Sequence, residues 1–344
     1  MPPSSAPRDP AGKMVAAEVS FFAKALAGFA KSGAKFEVVC SVSRRHVVSS
    51  PASPSSSLPS PLVPPARQRS QIHSLVILDS SFNPPTRAHM KLATSALLDC
   101  LCAPPHQLLS TRLLLLLSVN NADKAPKPAS FAQRLVLMLA LARDTHAELA
   151  QHKNDRLDIP IDIGLTSEPY FHHKSNAIAV SPFYVRPSFP SAPVDRPTPD
   201  QLFLLGYDTL IRLFDPKYYP PADADGAPAI PEGLPADATP MQIALTPLLR
   251  RARLRVTTRP DDQWGDEVAQ RAWVAGTVDA LGGPTEQWAS RIQLDTGADP
   301  GTQAVSSTVV RAASQTGDTE TLRALVGPAV LERLAILKPY SEAP

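Results

Sequence analysis

Cysteine is scarce in this chain: Cys40, Cys100 and Cys102 are the only three in 344 residues. Three thiols at those positions make neither a disulfide framework nor a zinc pattern, which points to a reducing compartment. Long apolar runs are also missing. No stretch approaches the roughly 18 uninterrupted apolar residues of a membrane span, and the leucines at 113–117 have the length of a strand. Net charge is small, +2, so the chain as a whole lacks the electrostatic bias that would mark a nucleic-acid partner. No internal repeat is present, which removes solenoids and propellers.

What the chain has in excess is proline, 38 residues, about twice the usual usage of roughly 5%. The prolines gather in Ser- or Ala-rich stretches, so they read as linkers around a folded body. Residues 1–70 form an N-terminal extension with nine Lys/Arg against three Asp/Glu. Within it, residues 1–13 read as disordered. Val15, Val19, Phe22, Leu26 and Phe29 then fall at helical spacing up to Gly33, and "FEVVCSV" reads as a strand. Residues 49–69, "SSPASPSSSLPSPLVPPARQR", are Ser/Pro low complexity that cannot pack a core. A basic helix here could belong to a mitochondrial transit peptide. Its late start and Glu18 favour a docked N-terminal helix instead, with cytoplasmic or nuclear residence.

Residues 71–344 make the second unit, interrupted by Pro-rich insertions at 181–200 and 220–241. Strands at 75–79, 112–119, 159–165, 201–206, 253–258 and 291–294 alternate with helices. These begin near Ala88, at Ser130 (a capping box with Gln133), at "YDTLIRLF" and around 265–279. Two C-terminal helices close the chain, the second opening on Pro328. This alternation predicts an α/β fold, a Rossmann-like parallel sheet with helices on both faces. In such sheets ligands sit beyond the carboxyl ends of the strands.

The chemistry-bearing residues gather at those ends. Past the first strand of the alternating unit comes "SSFNPPTRAH". Ser80, Ser81 and Phe82 form a turn whose N–H groups can converge on one anion, with a helix start behind it. Thr86 and His89, three apart, face the same way. A hydroxyl and an imidazole at an anion site suit phosphate; the bland alternative is a proline turn with a capping Thr and a surface His. "VSSTVVR", Val305–Arg311, offers a second anion site in Ser306, Ser307, Thr308 and Arg311, although capping alone would explain the hydroxyls. In "LLGYD", Gly206 permits close approach of a ligand, and Asp208 either bonds a ribose hydroxyl or caps a helix. Lys124 and Arg134 are candidate phosphate ligands or solvated charges. His172 and His173 are adjacent, so their side chains diverge, and no carboxylate cluster accompanies them. No metal site is assigned.

Together these segments resemble the nicotinamide-mononucleotide adenylyltransferase family of the (His/Thr)-x-Gly-His nucleotidyltransferases, over roughly residues 72–340, and in particular a divergent fungal branch opening on "LDSSFNPP". The family's Gly-Ser-Phe-Asn-Pro-x-Thr-x-x-His is here "SSFNPPTRAH", with Ser80 for the leading glycine and Ala88 for the glycine often found before the histidine. Its Ile-Ser-Ser-Thr-x-x-Arg is "VSSTVVR". "LLGYD" resembles its Leu-x-Gly-x-Asp segment and "NNADKAPKPASFAQRL" its lysine-bearing loop. The resemblance implies transfer of AMP from ATP to nicotinamide mononucleotide, giving NAD and pyrophosphate, with Mg²⁺ arriving on ATP. It implies that Ser81, Phe82 and His89 hold the α-phosphate with support from Thr86. Ser307, Thr308 and Arg311 would grip the β- and γ-phosphates, with Lys124 near the phosphates and Ser80 and Ser306 also binding ATP. Gly206 and Asp208 would line the adenosine. Ser81, Phe82, Lys124 and an aromatic, Tyr170 or Phe171, would meet the nicotinamide nucleotide. Two alternatives stay open: a transferase of the same fold with another phosphate acceptor, or a nucleotide-binding, weakly ATP-hydrolysing protein of quality control. Homo-oligomer formation and protein docking through the Pro-rich segments are left open; no membrane or nucleic-acid partner is expected.

Overall fold

A strand that is apolar on both faces must be covered on both, and the leucine run sits in such a strand. In the computed structural model, which describes residues 10–43, 72–101, 110–120, 129–152, 158–185, 198–221, 229–258, 264–282, 286–295 and 306–341, β3 (Thr111–Ser118) is buried over its first seven residues. Its neighbours are β2 (Ser74–Asp79), β4 (Ile161–Thr166), β5 (Asp200–Gly206), β6 (Ala252–Thr257) and β7 (Ile292–Asp295). The N-terminal strand β1 (Phe36–Val42) completes the sheet in the order β1-β4-β3-β2-β5-β6-β7. All pairings are parallel except β1 with β4. The six parallel strands, counted from β2, run 3-2-1-4-5-6, the strand order of dinucleotide-binding folds. The antiparallel edge strand was not evident from sequence.

Alternation along each strand sorts side chains to two cores. Val76, Leu78, Leu113, Leu115 and Leu117 face one; Leu75, Ile77, Leu114 and Leu116 face the other. The first face is covered by α1 (Pro10–Ser32), α2 (Arg87–Leu101), α3 (Phe131–Gln151) and the C-terminal helices α9 (Ser307–Thr316), α10 (Thr319–Leu325) and α11 (Pro328–Leu337). The second is covered by α4 (Phe171–Ala179), α5 (Tyr207–Leu213), α6 (Pro240–Arg251) and α7 (Glu267–Trp273), which continues through a π turn, Val274–Val278, into α8 (Asp279–Gly282). Each fully buried leucine or isoleucine contributes about 1.5–3 kcal/mol, so the two cores supply most of the stabilisation. On β4, Gly164 is required by packing: a Cβ there would lie 2.8 Å from Leu114 Cδ1.

Caps set the helix limits. Ser130 and Gln133 form the expected capping box at α3, and Thr239 and Gln242 form another at α6. The sequence reading had no helix at α6, because Pro247 lies inside it and a proline-rich stretch precedes it. At the other end, α1 begins at Pro10, so residues 10–13, expected to be disordered, belong to the helix. The C-terminal region holds three helices, not two. Gly317, at φ 74°, ends α9 in the left-handed conformation that glycine adopts freely, and Asp318 caps α10. The start of α11 is held from 185 residues away: Asp144 accepts from the N–H groups of Ala329 (2.8 Å) and Val330 (3.1 Å).

The N-terminal helix is docked. Glu18, buried, accepts from Arg333 Nε of α11 (3.0 Å) and from Arg143 Nη2 of α3 (3.1 Å). The whole of the Ser/Pro segment 49–69 lies outside the described residues, as do parts of the two insertions. No helix among the described residues is long and apolar enough to cross a membrane.

Candidate functional site

At β2 and β5 the sheet changes direction of winding. The chain leaving β2 enters α2 on one face, and the chain leaving β5 enters α5 on the other. A crevice opens between such loops by construction, and open α/β sheets bind ligands there. Both sequence segments picked out as sites, "SSFNPPTRAH" and "LLGYD", end these two strands.

The loop after β2 is held in an uncommon conformation. Phe82 sits at φ 44° with its ring fully buried, and the Asn83–Pro84 peptide is cis. A bulky residue at positive φ persists only where its surroundings over-determine it. Here the surroundings are the apolar core beneath Phe82 and a set of hydrogen bonds from α9 and from the segment after α11. Arg311 Nη1 donates to Asn83 O (2.7 Å), Ser307 Oγ donates to Pro84 O (2.8 Å) and Tyr340 Oη donates to Asn83 Oδ1 (2.9 Å). The turn leaves the N–H groups of Ser81 and Phe82 without an acceptor among the described residues.

His89 faces back into this turn from α2. The Thr86 N–H donates to Nδ1 (3.1 Å), and Thr86 Oγ1 lies 2.9 Å from the same nitrogen. A nitrogen that accepts from an amide cannot carry the proton, so the hydrogen is assigned to Nε2. That N–H points at Ser80 Oγ, 2.9 Å away. Desolvation pushes the His89 pKa down to about 4, which keeps the ring neutral. The result is a fixed donor, Nε2–H, at the mouth of an amide-lined turn. The Ser80 hydroxyl is the partner of this donor.

The second motif starts α9. Ser306 is its N-cap, accepting from the Val309 N–H (3.3 Å), and Arg311 Nη2 reaches Thr308 Oγ1 (3.0 Å). Ser307 and Arg311 therefore spend hydrogen bonds on the proline loop, joining two motifs more than 200 residues apart into one site. The helix N-terminus stands beside the β2 loop, as an anion-binding arrangement requires.

Other candidates are placed as follows. Gly206 is the N-cap of α5, and a Cβ there would meet Asp208 Oδ1 at 2.8 Å. Asp208 makes no cap bond; its exposed carboxylate accepts from Arg212 Nη2 (2.7 Å). Phe171 packs edge-on against Phe203 of β5, and Tyr170 stacks on His172 with ring centroids 5.7 Å apart. Burial, reinforced by His173, pushes His172 down to about 4. Lys124 lies outside the described residues. Arg134 is buried and donates to Ala129 O (3.0 Å), so it is not a solvated charge.

Two features were not found from sequence. The first is Tyr340, described above. The second is a buried ion pair at the end of β2, where Lys174 Nζ of α4 lies 2.5 Å from Asp79 Oδ2. The Lys174 ammonium also sits 5.3 Å from the Phe171 ring centroid. An acidic residue at a strand end and a lysine three positions after Phe171 were the available signals, and neither is specific without the fold.

The sheet has the dinucleotide-fold order, a His-bearing turn follows its first parallel strand, and a Ser-Ser-Thr-x-x-Arg helix start is hydrogen-bonded to that turn. No family model matches the chain. It is related to a Schizosaccharomyces pombe protein named "Putative nicotinamide mononucleotide adenylyltransferase", 27% identical over 268 residues, covering 77% of this chain and 86% of the relative. Among solved structures it is similar to Plasmodium falciparum nicotinic acid mononucleotide adenylyltransferase complexed with NaAD (TM-score 0.42, 10% identity, 78% of this chain, 97% of that one). The same enzyme complexed with APC gives TM-score 0.42 and 11% identity, covering 78% of this chain and 97% of that one.

Proposed function

We propose that the protein transfers AMP from ATP to the 5′-phosphate of nicotinamide mononucleotide. The observation that carries this reading is the direct contact between the two motifs, Ser307 and Arg311 on the backbone of Pro84 and Asn83. It creates one anion site with two ends, as a triphosphate needs. The similarity to the fission-yeast protein, whose name gives nicotinamide mononucleotide, supports that acceptor.

The reaction needs no protein nucleophile. The acceptor phosphate oxygen attacks the α-phosphorus in line, the bond to the bridging oxygen breaks, and pyrophosphate leaves. The protein's work is positioning and charge stabilisation. The Ser81 and Phe82 N–H groups and His89 Nε2–H bind the α-phosphate oxygens, with Ser80 Oγ yielding or relaying its bond. Thr86 keeps His89 in the required tautomer. The start of α9, with Thr308 and Arg311, receives the β- and γ-phosphates. ATP is taken as its Mg²⁺ complex, and the ion would supply charge neutralisation on the phosphates.

The test mixes purified protein, Mg-ATP and nicotinamide mononucleotide and looks for NAD by mass. NAD should form, and His89→Ala should lower kcat by about 10²–10³, the usual cost of losing one such donor. Near wild-type NAD synthesis by the His89→Ala protein would remove the phosphate-turn assignment. An absence of NAD from the wild type, with ATP bound, would move the reading to another acceptor.

A further inference from the structure

We infer that Tyr340, in the segment after α11, is a positioning residue for the phosphate turn, acting through the side chain of Asn83. The inference rests on the proposed adenylyl transfer for its meaning, and on geometry for its content. Tyr340 is buried, at 3% exposure, and Asn83 at 6%. The phenol donates to Asn83 Oδ1 at 2.9 Å across 257 residues of chain. Burial raises the phenol's pKa well above its usual value, so it remains a donor throughout the working pH range.

Asn83 is the hinge of the turn. It follows Phe82, whose φ is 44°, and precedes Pro84. Its backbone oxygen is already gripped by Arg311 Nη1. The phenol takes the second acceptor of the same residue. Asn83 is thus held at its backbone oxygen and at its side-chain oxygen by two groups of the C-terminal region, which restrains both its peptide and its side chain. The N–H groups proposed above to bind the α-phosphate belong to the two residues just before Asn83. A turn at an uncommon φ needs such restraints, since a relaxed loop would aim those N–H groups elsewhere.

A merely structural role for Tyr340 would show as lost stability with normal chemistry in the folded fraction. A positioning role shows in the chemistry. The experiment compares wild type, Tyr340→Phe, Asn83→Leu and the double variant at a temperature well below their unfolding. Two quantities are read: kcat for NAD synthesis, and the Kd of Mg-ATP by calorimetry. Tyr340→Phe should lower kcat at least about fivefold and raise Kd about threefold. The double variant should be no worse than Asn83→Leu, because both remove one interaction. Tyr340→His, whose ring N–H can donate, should recover part of the lost kcat. Unchanged kcat and Kd in folded Tyr340→Phe would overturn the inference, as would fully additive losses. If Tyr340→Phe is not recovered folded, Asn83→Leu is read in the same assays, and unchanged values there overturn it equally. The ATP measurement needs no acceptor, so a wild type that makes no NAD would sink the proposed reaction and leave this test standing.

Discussion

At the scale of the residue, the deciding group is a neutral histidine. Thr86 fixes the His89 tautomer and desolvation holds the ring near 4, against about 6.5 for a free imidazole. The sign follows. Between pH 6.5 and 4 the unfolded chain takes up a proton that the folded chain refuses, so stability falls as pH drops through that window and the loss is complete below it. His172 is depressed in the same direction and adds to the effect. His89→Asn should therefore flatten part of the acid decline in a denaturant titration run from pH 7 to 4. The profile of kcat/KM, which reports groups of the free enzyme, should show no alkaline loss attributable to His89 between pH 6 and 8.5. A decline above pH 6 that vanishes in His89→Asn would make the imidazolium, and not the neutral ring, the working form. The sequence carried His89, Thr86, Ser307 and Arg311 because residue type and local spacing define them. It did not carry Tyr340 or the Lys174–Asp79 pair. These act through contacts 257 and 95 residues apart, and nothing local marks one tyrosine or lysine from another.

At the scale of the element, periodicity and caps did most of the work. The strands β2 to β7 were legible within about two residues, since buried parallel strands are short apolar runs between turn signals. Failures had local causes. Pro247 hid α6, and the left-handed Gly317 split one expected helix into two. The docking of α1 could be guessed from its apolar stripe, but its partner could not. Its polar partners are Arg333, 2% exposed and bonded to Glu18 at 3.0 Å, and Arg143, bonded to it at 3.1 Å. Removing one member of a buried pair costs up to about 3–5 kcal/mol, here reduced because Arg333 also meets Glu332 at 3.0 Å. Glu18→Ala should lose a substantial part of that in urea unfolding, whereas an exposed neighbour on the same helix, Lys24→Ala, should change stability by about 0.5 kcal/mol or less. A small loss for Glu18→Ala would mean that α1 is held by its apolar face alone.

At the scale of the whole molecule, the site is a joint between distant parts of the chain. The turn after β2 supplies amides and an imidazole, and the start of α9 supplies hydroxyls and a guanidinium. Their contact, Arg311 to Asn83, spans 228 residues. The two motifs were separate segments in the sequence; the sheet order explains why they meet, because β2 lies at the centre and its carboxyl end opens at the switch point. A ligand that bridges both motifs must stabilise the folded chain as a unit. Binding to the native state alone adds RT ln(1 + [L]/Kd), about 2.7 kcal/mol at a ligand concentration of 100 Kd. For a chain of this length that corresponds to an increase in Tm of roughly 2–4 °C or less. Mg-ATP at that excess should raise the Tm of wild type by about this amount, and AMP, which reaches only the turn, should raise it less at the same concentration. Arg311→Ala should weaken both responses, because Arg311 holds the turn itself through the Asn83 carbonyl. A variant that loses only the ATP response would show that Arg311 serves the outer phosphates alone. An ATP response unaltered in both Arg311→Ala and His89→Ala would place the nucleotide away from the joint.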